Sequence, residues 1–115
     1  MEIRRLAPQI GVEVTGIDVR ALDEATFAAI YRAWLDSNVM VVRDQDLTIP
    51  DFLRYSRRFG PVVPHPSKST RHPDHPEITM LGVDKFDADG RLRREIYRRG
   101  AEGWHTDGDF NAAPF

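Results

Sequence analysis

The sequence has 115 residues, of which 41% are hydrophobic and 30% charged, and its formal net charge is −2. These values suit a single soluble globular domain with a modest core, and they argue against a protein built to bind nucleic acid or a membrane surface. The chain has no cysteine, which excludes disulfides and thiolate metal sites.

Met1 to Arg5 lead into no apolar stretch, so a secretory signal peptide is not expected. Apolar runs such as Val39 to Val42 are far too short to span a bilayer. A cytoplasmic location is the expectation.

Residues 2–19 read as two short strands around the turn Ala7-Pro8-Gln9. Val12, Val14, Ile17 and Val19 are the apolar members of the second, and Gly16 shifts their phase, as a bulge or tight bend would. Residues 23–37 carry the clearest helical pattern. Phe27, Ile30, Tyr31, Trp34 and Leu35 fall on one stripe, Asp23 suits the N-cap, and Asn38 suits the end. "NVMVVRD" then reads as a buried strand, β-branched and continuous, so strand, helix and strand suggest a mixed layer.

A second helix is predicted from Ile49 to Phe59, capped by Thr48 with Asp51 three residues on and Pro50 in its first turn. Phe52, Leu53, Ser56 and Phe59 would form its inner face, and Gly60-Pro61 would end it. Residues 61–76 hold Pro61, Pro64, Pro66, Pro73 and Pro76 together with His65, His72 and His75, the pattern of a long irregular loop. Glu77 to Val83 is a further strand candidate. "DADG" at 87–90 is a turn signal that would return the chain through Leu92 to Tyr97 as a hairpin. The arginines of its return arm read as a solvated edge or as a lid that selects an anion. Phe110, Ala112, Ala113 and Phe115 look like the start of more buried structure.

The residue pattern with the most chemistry is "GWHTDGDF", residues 103–110. On a strand, His105 and Asp107 would point to one face while Thr106 points away. An imidazole nitrogen and a carboxylate oxygen are two of the three donors in a 2-His-1-carboxylate site, which holds Fe(II) and leaves positions open for reactants. Trp104 before the pair and Phe110 after it fit a strand entering a core. The bland reading stands beside this one: a polar strand end with His105 hydrogen-bonded to Asp107 or to the backbone. A second His-x-Asp, His72-Pro73-Asp74, lies in the proline-rich loop, where Pro73 cannot donate to a sheet, and reads as a decoy.

Four elements in order resemble the N-terminal part of the taurine dioxygenase-like family of Fe(II)- and 2-oxoglutarate-dependent dioxygenases. They are "IGVEVTGIDV", "VMVVRDQDLTIPDFLRYSRRFGPV", the "HP" of His65-Pro66, and "WHTD". The resemblance implies an α+β chain that is the N-terminal portion of a double-stranded β-helix, or jelly roll, with flanking helices. Residues 1–115 would then be a single incomplete dioxygenase domain. It implies His105 and Asp107 as two metal ligands, and His65 as a substrate-binding residue that donates to an anionic head group. A zinc site of His65, His72 and His75 is the less favoured use of those histidines.

The implied cofactors are Fe(II) and 2-oxoglutarate. The implied partners are O2 and a small anionic organic substrate of sulfonate, sulfate ester or carboxylate type. No nucleic acid or membrane is expected, and a homo-oligomer is left open. The family's second histidine ligand and the arginine that pairs with the distal oxoglutarate carboxylate fall downstream of the stretch covered here. Lys68 stands where taurine-using members carry a tyrosine, and Ala101 where they carry an asparagine, which favours an anion other than taurine. Beside the enzyme stand two further readings: a catalytically inactive fragment, and a metal-binding module completed by dimerisation.

Overall fold

Leu6 and Gly11 close the first hairpin in the computed structural model, which describes residues 1–66, 68–80 and 103–107. The Leu6 N–H donates to the Gly11 carbonyl at 3.0 Å. Gly11 sits at φ +90°, a conformation that side chains rarely adopt, and a Cβ there would meet the Leu6 side chain at 3.4 Å. The hairpin pairs β1 (Glu2–Arg5) with β2 (Val12–Thr15) antiparallel, Glu2 opposite Thr15 and Arg5 opposite Val12. β2 ends at Gly16, where φ is +68°. The phase shift seen in the sequence is therefore a tight bend. Ile17 and Val19 lie beyond the strand, with Val19–Ala21 forming a short 3-10 turn.

The first helix, α1 (Glu24–Ser37), has the expected caps. The Asp23 carboxylate accepts the Thr26 N–H at 2.6 Å. Asn38 closes the other end in the left-handed region at φ 63°, its N–H bonded to the Trp34 carbonyl. The chain then enters β3 (Met40–Val42), which pairs parallel to β2, Val12 opposite Met40 and Val14 opposite Val42. The sheet order is β1-β2-β3, with α1 as the crossover between the parallel strands. The strand candidate was correct in place, but its three residues are half-buried, because β3 lies at the sheet edge among the described residues.

Strand alternation sorts the sheet's two faces. Val12 and Val14 are buried, and with Ile30, Val19 and Leu53 they make the described core. Glu13 points the other way, where its carboxylate takes Arg4 from one side at 2.7 Å and Arg43 from the other at 2.8 Å. Leu35 is an exception to the helical stripe and is 54% exposed. It stands about 100° around the helix from Trp34, on the outer flank of the contact.

The second helix, α2 (Ile49–Ser56), starts with the capping box, Thr48 and Asp51 each bonding the other's backbone. It is shorter than the sequence suggests. From Arg58 to Phe59 the chain tightens into three-residue turns, Arg58 N–H to Tyr55 and Phe59 N–H to Ser56, before Gly60. Its inner face centres on buried Leu53, while Phe52 is 49% exposed. Tyr55 and Phe59 turn instead toward α1, where the Phe59 ring lies 5.1–5.9 Å from the rings of Phe27, Tyr31, Trp34 and Tyr55. Arg58 lies over Phe27 at 4.0 Å, donates to the Leu22 carbonyl and pairs with Glu24. Among the described residues no helix is long and apolar enough to cross a membrane.

The chain divides into two compact units, and the second begins at Val63. Its described part is the irregular loop expected for 61–76, with a 3-10 turn at Lys68–Thr70. The strand candidate from Glu77 is reduced, within the described residues, to one antiparallel bridge, Arg71 with Thr79. The Ile78 N–H turns back onto the His75 carbonyl, so the segment after Pro76 is a turn first. The predicted hairpin at 87–97 and the apolar end from Phe110 lie outside the described residues, as does Ala101.

Candidate functional site

Residues 103–107 form no strand, which corrects the expectation for "WHTD". Trp104 is fully exposed, so it does not lead a strand into a core. No backbone ladder holds this segment among the described residues, and the local turn has to orient the side chains.

That turn still brings the pair together. His105 Nε2 lies 3.5 Å from Asp107 Oδ1. The other ring nitrogen, Nδ1, is 2.8 Å from the Gly103 carbonyl. A carbonyl only accepts, so the hydrogen of that bond sits on Nδ1. In the neutral ring Nε2 then carries the lone pair, and it faces a carboxylate oxygen. Two acceptors at that spacing can share a metal cation. In an octahedral site with bonds of about 2.1 Å, neighbouring donors stand about 3 Å apart, so the pair fits one shared ion after a small rotation. A histidine whose second nitrogen donates to a backbone carbonyl is also the arrangement that metal ligands use. The side chains are 48% and 88% exposed, and among the described residues no third His, Asp or Glu completes a cluster.

His65 is exposed, with Nδ1 3.2 Å from the Thr70 hydroxyl. Its backbone carbonyl accepts from Arg71 Nε, and the Pro66 carbonyl lies 3.5 Å from Arg71 Nη2. The rings of His72 and His75 approach to 5.3 Å, and His72 Nδ1 accepts the Asp74 N–H. That backbone bond is what the His72-Pro73-Asp74 motif builds. His65, His72 and His75 do not form a three-residue metal cluster. Sequence reasoning missed Thr70, Arg71 and the Gly103 carbonyl. A hydroxyl five residues beyond a histidine has no motif, and a carbonyl has no letter in the sequence.

Comparison with known proteins gives the family of the chain. The family model described as "Taurine catabolism dioxygenase TauD, TfdA family" matches residues 2–114. The chain belongs to this family. Its TauD/TfdA relatives include the (S)-phenoxypropionate/alpha-ketoglutarate-dioxygenase of Sphingobium herbicidovorans, 29% identical over 95% of this chain and 36% of that protein. The alpha-ketoglutarate-dependent sulfonate dioxygenase of Saccharomyces cerevisiae is 25% identical over 99% of the chain and 28% of its own length. A crystal structure of a taurine dioxygenase from Burkholderia xenovorans aligns with a TM-score of 0.61 at 32% identity, over 68% of this chain and 28% of that one. The chain thus spans about a third of the curated relatives it matches.

Proposed function

We propose that this chain is the N-terminal part of an Fe(II)- and 2-oxoglutarate-dependent dioxygenase that hydroxylates a small anionic organic substrate. The observation that carries this reading is the Gly103–His105–Asp107 arrangement, in which the Nδ1–H bond to Gly103 leaves Nε2 as the ligand nitrogen beside the Asp107 carboxylate. Residues 1–115 are then one part of a jelly-roll domain. The remaining histidine ligand and the arginine for 2-oxoglutarate come from further along the polypeptide. A cytoplasmic location fits such an enzyme.

In this reading His105 and Asp107 would hold the iron from one short turn. Bound iron and 2-oxoglutarate supply, with O2, the oxidising chemistry that releases succinate and carbon dioxide and hydroxylates the substrate. The protein's own task is to orient the substrate, and His65 is the residue proposed to donate to its anionic head. Two relatives are named for a sulfonate and for (S)-phenoxypropionate, and an anionic substrate class is consistent with both.

The test is succinate formation by the full-length protein with sulfonates and phenoxyalkanoates as candidate substrates. Asp107→Ala is expected to abolish it. Retained turnover in that variant would overturn the ligand assignment, and absence of oxoglutarate-dependent turnover and of Fe(II) binding in the unaltered protein would overturn the reaction class.

A further inference from the structure

We infer that Thr70 is a positioning residue that sets which nitrogen of His65 carries the proton; this rests on the reading of His65 as the group that meets the substrate anion.

Thr70 is only 8% exposed, although it sits in an otherwise open loop. Its backbone is anchored: the Thr70 carbonyl accepts the Met80 N–H at 2.7 Å, and the next residues continue the attachment through the Arg71–Thr79 bridge and the His72 N–H bond to Ile78. From that fixed point the hydroxyl lies 3.2 Å from His65 Nδ1. Arg71, also on the anchored segment, reaches back to the carbonyls of His65 and Pro66. The loop carrying His65 is therefore held twice, at its backbone by Arg71 and at its ring by Thr70.

The chemistry selects the direction of the Thr70 bond. A hydroxyl both donates and accepts, so it can serve either tautomer. With the hydroxyl donating to Nδ1, the neutral ring carries its hydrogen on Nε2 and is a donor there. With Nδ1 donating to the hydroxyl, Nε2 of the neutral ring is an acceptor and repels an anion. A histidine that receives an anionic head group at neutral charge needs the first arrangement. With His65 in that role, Thr70 donates and His65 is held as the Nε2–H tautomer.

The tautomer can be read directly, from the 15N shifts of the His65 ring in the full-length protein, with His65→Gln assigning the signal. The expected result is the Nε2–H form in the unaltered protein, its loss in Thr70→Val, and its return in Thr70→Ser. Binding of ethanesulfonate as the anion probe should weaken roughly tenfold in Thr70→Val and recover in Thr70→Ser. An Nδ1–H ring in the unaltered protein overturns the inference and needs no Thr70 variant, so a misfolded Thr70→Val does not remove the test. An Nε2–H ring unchanged by a folded Thr70→Val also overturns it. If His65→Gln binds ethanesulfonate as well as the unaltered protein, the substrate role of His65 fails, whereas the tautomer data still decide what Thr70 does.

Discussion

The Gln45 carboxamide accepts the N–H of Val19, 26 residues earlier in the chain, at 2.9 Å. The same side chain donates to the carbonyls of Ile17 at 2.9 Å and Arg43 at 2.6 Å. One amide thus serves the backbone where β2 has bent away at Gly16 and where β3 has ended, two places that lack ladder partners. It ties the exits of two parallel strands together.

Gln45→Ala is expected to destabilise the protein by about 1–3 kcal/mol, because it strands a part-buried N–H and two carbonyls. Gln45→Glu should lose nearly as much, since a carboxylate cannot donate to either carbonyl. The urea midpoint should fall with an unchanged slope. A shift below about 0.5 kcal/mol would mean that solvent replaces the amide at no cost.

Acid should weaken the fold through a particular set of carboxylates. Glu13 is held below the ordinary range by hydrogen bonds from Arg43 and then Arg4. Asp18 is lowered to about 2 by the Arg20 side chain and backbone. Asp51 is lowered chiefly by the Thr48 hydroxyl, and Asp23 by the Thr26 N–H. Each folded-state value lies below its unfolded one, so the stabilisation is complete above the unfolded values of 3.8 to 4.5 and is lost as pH falls through the folded ones. Stability should be level from neutral pH down to about 5 and fall from about 4 toward 2. Asp18→Asn should differ from the unaltered protein most above pH 4, and the difference should close near pH 2. A difference that grows on acidification would reverse the sign argued here.

The local elements were legible where a single residue type has one physical job. Asp23, Thr48 with Asp51, and Asn38 marked helix ends, because caps are short-range bonds written within four residues, whereas α2 ends at Ser56 with its C-cap at Arg57, ahead of the expected stop at Gly60. The apolar stripe of α1 marked its buried face, except at Leu35. What the sequence hid was set by packing between elements. Phe52 and Phe59 look alike in the pattern of α2, yet Phe59 reaches the α1 aromatics and Phe52 stays exposed. In the candidate site, the spacing of His105 and Asp107 was readable and their closeness is observed, but the route differs. A turn with a Gly103 carbonyl does what a strand was expected to do. The Thr70 contact to His65 depends on an anchor at Ile78 to Met80, which no local pattern announces.

Tyr55 offers a test of packing. Its hydroxyl is buried with no hydrogen-bond partner among the described residues, and burial raises its pKa. The ring is well placed against Phe59 at 5.1 Å. Tyr55→Phe keeps that ring contact and removes the unsatisfied oxygen, so it should leave stability unchanged or raise it by up to about 1 kcal/mol. Tyr55→Ala should lower it by about 3 kcal/mol or more by opening the aromatic cluster. A loss of more than about 1 kcal/mol in Tyr55→Phe, read from chemical denaturation of the full-length protein, would show that the hydroxyl has a partner there.

The His105–Asp107 pair makes the sharpest prediction about binding. If Nε2 is the ligand nitrogen, a divalent cation must displace any proton there, so affinity should fall on acidification and binding should release protons. Mn(II), which accepts the same hard oxygen and imidazole donors, can report this by electron paramagnetic resonance on the full-length protein. Asp107→Asn keeps the shape and removes the charge, and it should weaken Mn(II) by at least tenfold, the loss already seen for groups that merely support a ligand. His105→Gln should do the same. Trp104→Ala, next to the pair but fully exposed, should change Mn(II) affinity little. Equal affinity in the unaltered, Asp107→Asn and His105→Gln proteins would return the pair to the bland reading, a polar turn whose carboxylate and imidazole meet only each other.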